Sequence, residues 1–368
     1  MSNTPLDPLQ QARQLFTNGL AHFEAARLIE AEQCFEAALA LAPGRPSLLT
    51  NLGAVRVLLG KHAPAVPLLE QACEREPDNQ EAWSHLGLAR AALGHHADAL
   101  AAFDRVLALN PQSAPAWNHR GTLLRELGQL REAALSYEQA LAFGADPQVT
   151  GYFLAAVRGQ DAPQHPPREY VEFLFDGYAA DFSQHLTGAL AYRAPQRLVE
   201  GLTQLGARRF THVMDLGCGT GLCGPLLAAL ADRVDGVDLS ASMLSQARAT
   251  GAYTELVHAD IHDWLRVAQT RFDLVLAADV FIYVGALEAV FEGVARILAP
   301  GGLFAFTVEA LEGGADRQLM PSLRFAHSQT YVQRLAQDNG LTVQAIQRAP
   351  LRQEQGRPIE GLYVYLRG

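Results

Sequence analysis

Along the first 147 residues, apolar and small side chains return at helical spacing, and the whole pattern repeats every 34 residues. Glycines stand at Gly19, Gly53, Gly87 and Gly121, and alanines come twelve residues later at Ala31, Ala65, Ala99 and Ala133. Large side chains keep the same phase as Phe35, Leu69, Phe103 and Tyr137. Prolines come at Pro43, Pro77 and Pro111, and Pro147 closes a fourth unit two residues late. Two helices per unit satisfy this pattern. Small residues let the helix backbones approach, large ones fill the wedge between them, and proline stops the second helix. Trp83 and Trp117 fall at helix-packing positions and read as core. Residues 148–160 read as a capping helix. Three prolines between Asp161 and Pro167 then make a linker, so 148–168 separates the array from the second half of the chain.

From Arg168 the period shortens. Strands are expected over 212–216, 233–239, 254–258, 272–278, 302–308, 341–348 and 361–367. Helices fall between them near 222–231, 241–250, 286–298 and 328–338. Alternation of this kind gives a parallel sheet covered by helices on both faces. Two earlier helices, 168–186 and 191–206, are expected to lie across the sheet's carboxyl edge.

Composition narrows the function classes. With 49% hydrophobic and 18% charged residues, wholesale disorder is excluded. No apolar run reaches the ~18 residues of a membrane helix, and Met1–Asp7 lacks the basic start and apolar stretch of a signal peptide. Lys+Arg 29 against Asp+Glu 39, a net charge of −10, argues against bulk binding to nucleic acid. Four cysteines are no disulfide framework, and a reducing cytoplasm is the expected compartment. Cys34 and Cys73 fall inside repeat helices.

Ligands of such sheets bind outside the carboxyl ends of the strands, where strand order reverses. There the chain reads Asp215-Leu216-Gly217-Cys218-Gly219-Thr220-Gly221. A dinucleotide fingerprint would need glycine where Leu222 stands. A phosphate loop would need a lysine, and the sole lysine is Lys61. Asp215 beside the glycines favours a cation instead. Asp238 ends the second strand, placed for ribose hydroxyls, and Asp260 ends the third, placed for an adenine amino group. Ala277-Ala278-Asp279-Val280-Phe281-Ile282-Tyr283 comes after the fourth strand, and Leu298-Ala299-Pro300-Gly301-Gly302 turns into the fifth.

Residues 12–147 resemble the tetratricopeptide (TPR) repeat, which implies an α-helical solenoid with a groove for a protein or peptide partner. Residues 169–368 resemble the class I S-adenosylmethionine-dependent methyltransferases. That resemblance implies a Rossmann-like α/β domain of seven strands, the last antiparallel. S-adenosylmethionine would lie over Gly217–Gly221 with its amino-acid part near Asp215. The family pattern carries donor contacts onto Cys218, Gly219, Thr220, Leu239, Met243, Ile261 and Ala278, and onto Tyr178 of the helical cover. The strings 175–182 and 352–361 are similar to a group of bacterial methyltransferases bearing N-terminal repeats.

The acceptor is narrowed by what is missing. In this family, methylation of exocyclic or amide nitrogen typically uses an Asn/Asp-Pro-Pro-Tyr/Phe string, and here the chain has Ala-Asp-Val-Phe-Ile-Tyr. Glu288 and Glu292 lie at i and i+4 on a helix and do not form the glutamate pair of arginine methyltransferases. Oxygen, carboxylate and carbon nucleophiles remain. Asp279, Tyr283 and His327 are the candidate acceptor-side residues, with Arg193 and Arg324 as holders of an acid. No metal site is expected: His258 and His262 straddle a strand end. Two readings stand: a methyltransferase whose repeats recruit a partner or substrate, and a repeat adaptor whose second domain only binds the donor.

Overall fold

The computed structural model describes residues 7–159, 163–172, 174–175, 192–206, 209–354 and 356–368. It separates into two compact units, Met1–Arg158 and Gly159–Gly368.

The first unit is helical: α1 (Pro8–Glu24), α2 (Leu28–Leu41), α3 (Pro46–Leu58), α4 (His62–Arg75), α5 (Gln80–Ala92), α6 (His96–Leu109), α7 (Ala114–Glu126), α8 (Leu130–Ala142) and α9 (Pro147–Arg158). Each repeat is locked the same way. A Cβ on Gly19 would come within 2.5 Å of the Phe35 ring, on Gly53 within 2.6 Å of Leu69, on Gly87 within 2.8 Å of Phe103, and on Gly121 within 2.7 Å of Tyr137. Glycine is required there for close approach. Helices α2, α4 and α6 stop two residues before Pro43, Pro77 and Pro111. Pro147 behaves otherwise: α8 ends at Ala142, Gly144 turns the chain at φ 92°, and Pro147 opens α9. At a first helical position the missing proline N–H leaves no bond unmade. Trp83 and Trp117 are half-buried against the core, their indole N–H groups donating to the Pro77 and Pro111 carbonyls at 3.1 and 2.9 Å.

A second device shares the period. Acidic residues recur at Glu36, Glu70, Asp104 and Glu138. Arg56 pairs with Glu36, Arg90 with Glu70 at 2.8 Å, and Arg158 with Glu138. The position that would serve Asp104 is Leu124, which is buried, and Arg120 reaches Asp104 instead, at 2.8 Å.

The second unit contains α10 (Ala194–Gln204), β1 (Phe210–Leu216), α11 (Gly224–Ala228), β2 (Ala231–Asp238), α12 (Ala241–Ala249), β3 (Glu255–His258), α13 (Ile261–Val267), β4 (Phe272–Ala277), α14 (Glu288–Ile297), β5 (Leu298–Ala310), β6 (Arg317–Leu319), β7 (Phe325–His327), α15 (Gln329–Asp338), β8 (Thr342–Glu354) and β9 (Arg357–Arg367). The sheet runs β3-β2-β1-β4-β5-β7-β6, and β9 joins β5 to β8. Strands β1 to β5 pair in parallel, whereas β9 is antiparallel to both β5 and β8. The sheet has nine strands rather than seven, because a short hairpin, β6–β7, continues beyond β5 where the sequence pattern reads as a loop. Its three-residue strands carry too little apolar sequence to announce themselves. The core is two-sided: Phe281, Phe291, Phe304 and Phe306 pack on one face, Leu198, Leu202, Leu227 and Tyr365 on the other. Tyr178 and much of the expected first cover helix lie outside the described residues.

Candidate active site

Strand order reverses at β1, which pairs with β2 on one side and β4 on the other. The glycine loop leaves β1 there. Gly217, Gly219 and Gly221 have φ of 64°, 54° and 86°. The Cys218 amide donates to the Val237 carbonyl at 3.1 Å, which draws the loop against β2. Asp238, at the end of β2, accepts from the Gly219 amide at 2.8 Å and the Ser240 amide at 2.9 Å, one on each oxygen. Each oxygen keeps a second lone pair. Burial pushes the Asp238 carboxyl up, against the hydrogen bonds from Ser240 and Gly219. Ser240 caps α12 by accepting from the Met243 amide, and Met243 itself is buried.

Asp215 is only 1% exposed. Its carboxylate accepts a 2.6 Å hydrogen bond from the Tyr253 hydroxyl. Burial raises its pKa to about 7, helped by the charge of Asp238 and opposed by the Tyr253 bond. Tyr253 is not legible in the sequence as a site residue: it lies 38 positions downstream, and its ring packs on Gly221, Gly224 and Gly236. Asp260 caps α13, accepting from the His262 and Asp263 amides on Oδ1. Burial would raise the Asp260 carboxyl, but the hydrogen bonds from His262 outweigh it and hold it below the usual range. Ile261 is buried, while Leu239 and Ala278 are half-buried. The Pro-rich segment belongs to this unit. The Ala286 amide donates to the Gln164 carbonyl at 2.9 Å, and the His165 ring stands edge-on to His262, centroids 4.5 Å apart.

After β4 the chain makes a left-handed turn at Asp279, φ 60°. Its amide donates to the Thr307 hydroxyl at 2.8 Å, and its carboxylate is held by Arg352 at 3.1 and 3.2 Å. Arg352 also binds Glu309 and, at 2.9 Å, Glu354. Arg324 pairs with Glu354, and its Nε lies 3.4 Å from the Tyr283 hydroxyl. His327 does not join this group. It is fully buried at the end of β7, its Nε2 3.0 Å from the Gly285 carbonyl, and burial pushes its pKa down to about 4. Arg193 precedes α10 and is exposed. Among the described residues no three His, Cys, Asp or Glu side chains are grouped as a metal site. None of the described helices is long and apolar enough to cross a membrane.

An open sheet in this order, with a glycine loop at the switch point and the antiparallel β9 beside β5, is the class I methyltransferase architecture. A methyltransferase-domain model matches residues 213–302, and a tetratricopeptide-repeat model matches 16–79, 55–114 and 85–149. The malonyl-[acyl-carrier protein] O-methyltransferase of Enterobacter lignolyticus is 32% identical over 187 residues, 48% of this chain and 70% of that protein. Human methyltransferase-like protein 27 is 33% identical over 46% of this chain and 75% of its own length. The trans-aconitate 2-methyltransferase of Paracidovorax citrulli is 40% identical, but the match spans only 37% of its length and 26% of this chain. The chain belongs to the S-adenosylmethionine-dependent methyltransferases and carries tetratricopeptide repeats ahead of the catalytic domain.

Proposed function

We propose that this enzyme transfers a methyl group to a carboxylate oxygen of an acid that is small or carried on a protein, and that the repeats hold the partner presenting it. The donor site is the crevice over Gly217–Gly221. The residues suit a sulfonium nucleoside: a Cβ on Gly219 would meet nothing within 4 Å, and carboxylates stand at or just after the ends of three adjacent strands. Asp238 would take the ribose hydroxyls on its remaining lone pairs, the free Oδ2 of Asp260 the adenine amino group, and Asp215 would face the cationic amino-acid part. S-adenosylmethionine supplies an already activated methyl carbon. What the protein must add is alignment and exclusion of water.

One observation carries the acceptor class: both candidate bases are otherwise engaged. Arg352 holds the Asp279 carboxylate, and burial keeps His327 neutral against a backbone carbonyl. An alcohol or ammonium acceptor would need its proton removed. A carboxylate needs no base. The relatives named for malonyl and trans-aconitate acceptors point the same way, since both acceptors carry carboxylates. Incubation of bacterial lysate with tritiated S-adenosylmethionine tests this reading. Label released as volatile methanol by alkali marks a carboxyl ester. Alkali-stable label throughout would mean a nitrogen, carbon or ether acceptor and would overturn the carboxylate reading.

A further inference from the structure

Arg352 lies on β8, in the second half of that long strand, yet its side chain is buried at the end of β4. Local irregularity explains how it gets there. Strand residues normally alternate between faces, but Leu351 and Arg352 are both buried, at 1% and 3% exposure. The register of β8 on β9 shifts between Pro350 and Arg352, and such a bulge re-aims the side chain beside it. Gly361 on β9 leaves room for Leu351, so the pair turns inward together.

All three guanidinium nitrogens of Arg352 are then used: Nη1 on Asp279, Nη2 on Glu309 and Nε on Glu354. A guanidinium so engaged has no nitrogen left over for a substrate. What it does hold is a turn. Asp279 is a non-glycine residue at φ 60°, a conformation that costs of order 1–3 kcal/mol and persists only when surroundings impose it. The next side chain, Val280, fills the space beside Gly217, where a Cβ would sit 2.6 Å from Val280 Cγ2. Gly217 is the first glycine of the loop over which the donor lies.

We propose that Arg352 is a positioning residue for the donor site: it fixes Asp279 in its left-handed turn and thereby seats Val280 against Gly217. The proposal rests on the donor site assigned above. The contact runs from Arg352 to the Asp279 carboxylate, from the Asp279 backbone to Val280, and from Val280 to the loop. Glu309 and Glu354 supply the rest of the cage that keeps the guanidinium in place.

Glycine at 279 separates this role from others, because it adopts φ near +60° without support. The experiment is a double-mutant cycle read by calorimetric titration of full-length protein with S-adenosylhomocysteine. Arg352→Met should weaken binding about tenfold or more in the native background. In the Asp279→Gly background the same change should cost less than about twofold. Equal losses in both backgrounds would overturn the proposal, since Arg352 would then act by some route other than the turn. A loss of thermal stability without loss of affinity in either background would also overturn it and leave Arg352 purely structural. Should Arg352→Met fail to fold, Arg352→Lys completes the same cycle, keeping the charge but losing the three-way fork. Failure of the folded native protein to bind either S-adenosylmethionine or S-adenosylhomocysteine would instead bring down the donor site itself.

Discussion

Asp215 sits where a carboxylate is costly. Its folded pKa of about 7 lies above the ~4 of a free aspartate. The unfolded chain therefore releases this proton first as pH rises. The group favours the folded state below about pH 4, and that advantage is lost as pH climbs to about 7, by an amount of order a few kcal/mol. Asp215→Asn should flatten this slope: in thermal melts the native protein should lose stability relative to the variant between about pH 4 and 7. Parallel profiles would refute the assignment. Tyr253→Phe removes the hydrogen bond that opposes the shift, so the upper end of the window should move above about pH 7 in the same melts.

Gly217 allows a sharper test at the same scale. An alanine there meets Val280 at 2.6 Å and must also hold φ 64°. Gly217→Ala should weaken donor binding by about tenfold or more. Val280→Ala should restore only the steric part, leaving the backbone cost. Full restoration in a titration would show that the φ value is of no consequence.

Among the elements, the repeats show two opposing effects of one atom. Gly87→Ala gains helix propensity worth ~1 kcal/mol, yet its Cβ falls 2.8 Å from the Phe103 ring, and overpacking costs ~1–3 kcal/mol. The expected net result is destabilisation in urea unfolding. Loss of the Arg90–Glu70 pair by Arg90→Ala should cost under ~1 kcal/mol, because both partners are partly exposed. A larger loss from Arg90 than from Gly87 would reverse this ranking.

Legibility also divides by element. The repeats can be read because each partner of Gly53, Gly87 or Gly121 sits at a fixed short distance along the chain. Strands β1, β2 and β4 announce themselves as apolar runs, and the glycine loop as a string. The hairpin β6–β7 does not, since Arg317-Gln318-Leu319 has neither length nor alternation. Helix α13 is equally silent, seven residues long behind the Asp260 cap. At the site, Tyr253 and Arg352 escape for one reason: their carboxylate partners, Asp215 and Asp279, lie 38 and 73 residues away. Single-chain periodicity carries no signal for such pairings. His327 is visible as a histidine, but nothing near it in the chain reveals that Gly285, 42 residues before it, is its partner.

For the whole molecule, two compact units imply two cooperative melting events. Calorimetric scans with S-adenosylhomocysteine should move one transition upward and leave the other in place. At a hundredfold excess over Kd the shift corresponds to ~2.7 kcal/mol. A single transition displaced as a whole would mean that the units unfold together.

The lock of glycine on a large side chain and the ladder of arginine on acid close on the same interval of 34 residues. Two independent devices with one common period make the array behave like a ruler with a single graduation. A gene carrying it can gain or lose length by whole graduations, because removing residues 54–87 would join interfaces of the kind already present. A cut of any other size would misalign both devices at once. Variation in the length of this protein's descendants should therefore be quantised, with the methyltransferase unit inherited unchanged behind it.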